Sequence, residues 1–260
     1  MRSAKPHWRE YLIEAICLAT FMVSAAVFAT LIYHPASPFA AWHATETVKR
    51  IPMGLAMGMT AAALIYSPLG RRSGAHMNPA VTLTFFRLGK MARVDAVGYV
   101  LAQFVGGTAG IELAEALLRG SLADPAVNFV ATTPGPWGSG VAFAAEAFIS
   151  FLMMTMVLAV SNAPRFARFT GLAAGCLVAM YIVFETPLSG MSMNPARTLG
   201  SNVLAAAQST LWIYFIAPPF GMLLAGEAYV RRHGHARVRC ATLHHRHLRC
   251  IFRCSQSETT

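Results

Sequence analysis

Apolar blocks recur along this chain at a length that only a membrane demands. They fall at residues 11–33, 48–68, 95–118, 138–161, 169–188 and 211–230. A helix needs roughly 20 mostly apolar residues to cross the hydrocarbon core of a bilayer, and each block reaches that span. Lipid offers no partner to an unpaired backbone N–H or C=O, so such blocks are confined to a bundle of helices. Composition agrees, with 55% hydrophobic and 12% charged residues, where a soluble domain carries about 25% charged. The first block is too long for the core of a signal peptide and no small-residue cleavage site follows it, so it reads as a retained helix.

The net charge is +10. A basic balance can mark a nucleic-acid binder, but here the cations sit in short segments between apolar blocks and in the tail. An even number of spans puts both termini on one face. That face would hold Arg2, Lys5, Arg9, Arg71, Arg72, Arg87, Lys90, Arg93, Arg165, Arg168 and the tail, and the other only Lys49, Arg50, Arg119 and Arg197. The asymmetry predicts a multi-pass protein of the inner or plasma membrane with cytoplasmic termini and no nucleic-acid partner. The five cysteines form no even framework, so no disulfide is implied. The tail carries His233, His235, His244, His245, His247, Cys240, Cys250 and Cys254 at spacings that match no structural zinc pattern. It reads instead as a flexible basic segment drawn to anionic lipid. No metal and no cofactor are expected.

Two apolar stretches, 81–88 and 198–207, are too short to span. Each follows the same tetrapeptide, Met77-Asn78-Pro79-Ala80 and Met193-Asn194-Pro195-Ala196. The duplication goes further. Glu14 and Glu146 sit early in a span of each half, and Tyr99, Gln103 and Gly106 share their spacing with Tyr214, Pro218 and Gly221. Three spans per half is odd, so the second copy enters the bilayer from the opposite side, and the site of such inverted repeats lies where broken helices meet near the midplane. Pro79 and Pro195 suit the first helical position, where a missing N–H costs nothing. Asn78 and Asn194 suit the N-cap. Segments 70–77 and 189–193 would run extended, their carbonyls free to line a pore. Two positive helix ends facing each other would repel cations while the asparagine amides still donate to a neutral solute.

The segments Ser73-Gly74-Ala75-His76-Met77-Asn78-Pro79-Ala80-Val81-Thr82 and Met193-Asn194-Pro195-Ala196-Arg197-Thr198 resemble the two signature loops of the aquaporin (major intrinsic protein) family, in its bacterial type. The resemblance covers residues 10–231, with one repeat over 10–118 and the other over 138–231, between a cytoplasmic N-terminus (1–9) and a tail (232–260). It implies an all-α membrane protein: an aquaporin-like bundle of six transmembrane helices and two re-entrant half-helices, arranged as an inverted repeat and assembled as a homotetramer with one pore per subunit. It implies a passive channel for water and small uncharged solutes, and no enzyme. Asn78, Pro79, Ala80, Asn194, Pro195 and Ala196 would form the constriction, with His76 lining the pore. Arg197, Ile182, Met191 and either Met57 or its neighbour Gly58 would form the selectivity filter. Glu14 and Glu146 would brace the loops. Strict water channels of the family carry a His at the position of Ile182 and an aromatic near Met57, and glycerol channels an Asp where Thr198 stands. The filter here should therefore be wider and more apolar than a water filter, with glycerol, ammonia, hydrogen peroxide or small amides as candidates. The alternative is a proton-coupled secondary transporter using Glu14 or Glu146. Glu112 and Glu185 are expected to be interfacial.

Overall fold

The computed structural model describes residues 5–39, 44–244 and 250–254. Arg2, which entered the charge asymmetry, and His245 and His247 of the tail lie outside the described residues. The helices in chain order are α1 (Trp8–Tyr33), α2 (Glu46–Tyr66), α3 (Pro68–Ser73), α4 (Pro79–Arg87), α5 (Arg93–Leu117), α6 (Gly138–Ser161), α7 (Thr170–Phe184), α8 (Thr186–Ser189), α9 (Pro195–Leu204) and α10 (Leu211–His233). Among the described residues, six helices are long and apolar enough to cross a membrane.

The packing obeys the duplication. α1 lies on α5 as α6 lies on α10, and α4 rests on α10 as α9 rests on α5. α2 packs on α7 and α4 touches α9, each helix against its own counterpart, so a pseudo-twofold axis runs through those two contacts. Small residues make the contacts close. A Cβ on Gly58 would stand 2.4 Å from the Gly175 carbonyl oxygen, and one on Gly175 would stand 2.4 Å from that of Gly58. Without a hydrophobic drive between helices in lipid, such backbone approach supplies the attraction by dispersion. Gly106 meets the Ala15 backbone and Gly221 the Ala147 backbone, one residue past Glu14 and Glu146. Close contact at these two glycines thus sets the depth of both glutamates.

Two expected segments differ in detail. Residues 70–73 are not extended but complete α3, because Ser67 caps it by accepting from the Gly70 N–H at 2.9 Å and Pro68 sits in its first turn. Gly74, with φ of 90°, ends that helix in the left-handed region, and the loop beyond it is not extended either, since Ala75 and Met77 also have positive φ; in the other half Ser189 belongs to α8, and Gly190, Met191 and Met193 have positive φ. The block 169–188 is likewise broken: α7 stops at Phe184, and α8 restarts with Pro187 near its N-terminus.

The tail was expected to be a flexible extension. Residues 238–244 and 250–254 instead lie against the helical bundle on the face where both termini emerge, with Val238, Cys240, Ala241, Leu243 and Phe252 buried. Apolar side chains in an otherwise basic segment give it something to bury. Cys240 and Cys254 form a disulfide that the cysteine spacing did not imply.

Candidate functional site

Both half-helices begin as the tetrapeptides predict. Asn78 is the N-cap of α4 and its side-chain oxygen accepts from the Ala80 N–H at 2.8 Å. Asn194 caps α9, accepting from Ala196 at 3.0 Å and Arg197 at 3.3 Å. Pro79 and Pro195 are the first residues of their helices. The two caps are then tied across the pseudo-twofold axis. The Asn78 amide donates to the Met193 carbonyl at 2.7 Å, and the Asn194 amide donates to the Met77 carbonyl at 2.7 Å. An Asn amide nitrogen carries two hydrogens. The brace uses one on each side, and a second donor remains on each asparagine.

The loops before the caps are held by the two buried glutamates. Glu14 accepts from the Met77 N–H at 2.6 Å, the His76 N–H at 3.1 Å and the Ser73 hydroxyl at 2.6 Å. Glu146 does the same in the other half, from the Met193 N–H at 2.7 Å, the Ser192 N–H at 2.7 Å and the Ser189 hydroxyl at 2.8 Å. Both carboxylates are fully buried, and these charge-assisted bonds offset much of the cost of burying them. They hold an unusual backbone. Ala75 and Met77 have φ of 55° and 48°, and Met191 and Met193 have 52° and 56°. Non-glycine residues in that region each cost of order 1–3 kcal/mol unless their surroundings fix them.

A cavity of about 440 Å³ runs through this junction. Asn78, Asn194, Arg197, Ile182, Met191, Met57 and His76 all line it. Met57, not Gly58, faces the cavity, since Gly58 is spent on the contact with α7. Arg197 projects from the first turn of α9, and its Nη1 is buried without a hydrogen-bond partner among the described residues. Apart from that guanidinium, Ile182, Met191 and Met57 present only apolar surface there. Ala80 and Ala196 are fully buried and contribute their backbone N–H groups to the caps.

His76 is more enclosed than a simple lining residue. Its ring is stacked between Phe85 and Phe252, at centroid distances of 5.2 and 5.5 Å. Nε2 donates to the Ala241 carbonyl at 2.6 Å, and Nδ1 accepts from the Thr82 hydroxyl at 3.0 Å. The tail thus reaches the site.

Several supporting groups escaped the sequence reading. Gln103 donates to Glu14 at 2.8 Å. Tyr99 donates to the Ser73 carbonyl at 2.6 Å, and Tyr214 to the Ser189 carbonyl at 2.5 Å. Their repeated spacing was the available signal, since a duplicated tyrosine in lipid needs a duplicated acceptor. Glu185, expected at the interface, is buried and accepts from the same Ser189 hydroxyl that serves Glu146. Glu112 is exposed.

Residues 1–229 match the family profile described as Major intrinsic protein. The chain is 34% identical over 225 residues to Glycerol uptake facilitator protein-like 6 of Lactiplantibacillus plantarum, covering 84% of this chain and 94% of that protein. It is 36% identical over 174 residues to Aquaporin NIP1-3 of Oryza sativa subsp. japonica, covering 66% of this chain but only 58% of that longer protein. Its fold is similar to the X-ray structure of the aquaglyceroporin from Plasmodium falciparum, with a TM-score of 0.67 over 85% of this chain and 94% of that one, at 21% sequence identity.

Proposed function

This chain belongs to the major intrinsic protein family and is a passive membrane channel rather than an enzyme, and we propose that its permeation path is the cavity between the two asparagine-capped half-helices. The observation that carries this reading is the reciprocal brace, in which each asparagine donates at 2.7 Å to the carbonyl preceding the other. Two helix N-termini held face to face raise the local positive potential, which opposes cations, hydronium included. The spare amide hydrogens and the Arg197 guanidinium supply donors to a neutral solute stripped of water. Glu14 and Glu146 act as braces. Each carboxylate already accepts from two loop N–H groups, which leaves it poorly placed to exchange protons with a gradient.

In this reading Arg197, Ile182, Met191 and Met57 form the selectivity filter. Its apolar faces and single cation suit solutes with a carbon skeleton and hydroxyl or amide groups as well as water, and the glycerol uptake facilitator-like relative fits that chemistry. The subunit sits in the cytoplasmic membrane with both termini inside, and four copies assemble with one pore each. Large apolar side chains on the outer faces, among them Phe148, Phe220 and Ile216, are exposed in the single chain and suit lipid or a neighbouring subunit.

The test is osmotic shrink–swell of proteoliposomes by stopped flow, with water, glycerol and urea, for the native chain and Asn194→Asp. The native chain should outpace empty vesicles with no proton gradient applied. Asn194→Asp places a carboxylate at the junction of two positive helix ends, and should cut neutral-solute flux and admit cations. Native swelling no faster than empty vesicles, or uptake that collapses when a proton gradient is dissipated, would reject this reading.

A further inference from the structure

The two halves of the fold differ in how the cavity mouths are covered: among the described residues, the mouth on the side of the termini is covered by the tail, and the tail carries three converging sulfurs. We propose that Cys240, Cys250 and Cys254, when reduced, form a binding site for a thiophilic divalent metal ion, and that the bound ion locks the tail segments 238–244 and 250–254 over the pore mouth. This rests on the cavity being the permeation path.

The cover is built from specific contacts. Leu243 lines the cavity and donates its N–H to the Gly74 carbonyl at 3.2 Å. Gly74 ends the helical turn before the first half-helix loop, so the tail engages a carbonyl at the pore entrance. The Ala241 carbonyl accepts from His76, and Phe252 stacks on the His76 ring with an interplanar angle of 10°. The cover is fastened beyond the mouth as well. The Arg239 backbone N–H donates to the Asn162 side-chain oxygen at 2.7 Å, and the Arg253 backbone N–H donates to the Lys90 carbonyl at 3.0 Å.

The sulfurs sit where they would hold this cover shut. Cys240 directly precedes Ala241, and Cys254 follows Phe252 by two residues, so joining them clamps the two strands of tail that grip His76. Cys250 Sγ lies 3.2 Å from that of Cys240 and 3.0 Å from that of Cys254. A disulfide accounts for two sulfurs and leaves the third without a covalent partner. A dithiol reductant supplying two electrons and two protons converts the disulfide into two thiols, and three ligands then lie within 4.8 Å of one another. Around a zinc ion with Zn–S of about 2.3 Å, tetrahedral sulfurs stand about 3.8 Å apart. Cys250 needs to move by less than about 1 Å from either neighbour, while the Cys240 and Cys254 sulfurs, bonded at about 2 Å in a disulfide, part on reduction to reach that geometry, with water as the fourth ligand. Binding releases the thiol protons. Three thiolates and a divalent cation leave one net negative charge, in a segment whose sequence neighbours of the ligands, Arg239 and Arg253, are cationic. Cys250 is exposed, so an ion has a way in.

The experiment uses the full chain, reduced, in detergent and in proteoliposomes, beside Cys240→Ser/Cys250→Ser/Cys254→Ser. Cadmium is titrated while thiolate-to-cadmium charge-transfer absorption is recorded, and shrink–swell is measured with cadmium or zinc and again after chelation. The expected result is one cadmium per native chain, no such band in the triple variant, and a permeability at least about fivefold lower in the loaded native chain, the low end of ordinary two-site coupling. The triple variant should swell at one rate throughout. Absence of the band in the reduced native chain, or an equal band in the variant, would overturn the site. A bound ion with unchanged permeability would overturn the lock. Swelling no faster than empty vesicles in every sample would reject the channel reading and the lock with it, while the absorbance would still decide whether the cysteines bind metal.

Discussion

Replacing Glu146 by alanine should uncouple the second half-helix from the rest of the fold. The carboxylate accepts from the Ser192 and Met193 N–H groups, both at 2.7 Å, and from the Ser189 hydroxyl at 2.8 Å. The hydroxyl has a second acceptor in Glu185, so its loss is covered. The two backbone donors have no such substitute and would be left unsatisfied at membrane depth. At about 1–3 kcal/mol each, that is about 2–6 kcal/mol. Removing a buried charge offsets part of this, but Met191 and Met193 would also lose what holds them at positive φ. The pseudo-twofold makes the same forecast for Glu14→Ala, which orphans the His76 and Met77 N–H groups. Thermal unfolding in detergent, followed by tryptophan fluorescence, and shrink–swell in proteoliposomes read the two consequences. Both variants should unfold at lower temperature than the native chain and lose most of their solute flux. A variant with native unfolding temperature and native flux would refute the bracing role, and would return the glutamates to candidacy as proton carriers.

Other perturbations isolate other parts. Ile182→His places a ring and a donor in the cavity that Arg197 also lines, and should reduce glycerol flux by more than water flux; equal reduction in stopped-flow traces would count against Ile182 as a filter residue. Gly58→Leu should abolish the close contact between α2 and α7, because even a Cβ would lie 2.4 Å from the Gly175 carbonyl oxygen. The expected readout is aggregation or a much reduced yield of folded protein by size-exclusion chromatography, and a native elution profile would contradict the packing.

The spans were legible because lipid imposes one rule on every helix, and apolar length reports it directly. α6 matches its apolar block at both ends, while α1 begins three residues before its own. The half-helix starts were legible because Asn and Pro each have a distinct reason to stand at a helix N-terminus. Less legible was whatever depends on which way a side chain turns. Met57 and Gly58 are adjacent, and only the contact of α2 with α7 decides which one faces the cavity. The turn α3 was hidden because its sequence, Pro-Leu-Gly-Arg-Arg-Ser, has no amphipathic repeat, and a cap and a tertiary contact alone hold it. The convergence of Cys240, Cys250 and Cys254 was invisible for a related reason: ligand spacing along a chain predicts a site only when a known turn brings the ligands back, and here the return is made by packing against His76 and Gly74.

The duplication makes that last difference informative. Where the two halves agree, as in the glutamate–serine–backbone braces, the crossed asparagines and the tyrosine bonds to Ser73 and Ser189, a single physical requirement is met twice. The carbonyls of Gly74 and Gly190 have the same place in the repeat, each at a left-handed glycine ending a short helix. Gly74 accepts from Leu243 of the tail, whereas the approach to Gly190 comes from the loop before α6, at the Thr133 backbone. Symmetry alone would give both mouths of the cavity the same cover. The loop before α6 is part of the repeat framework, but the tail lies beyond it, so its contact with Gly74 is an addition to the shared fold. A segment that covers one mouth only, held by a few hydrogen bonds, its aromatic contacts and the burial of Val238, Ala241, Leu243 and Phe252, shares none of the hydrogen bonds of the glutamate and asparagine braces, so it can leave without breaking them.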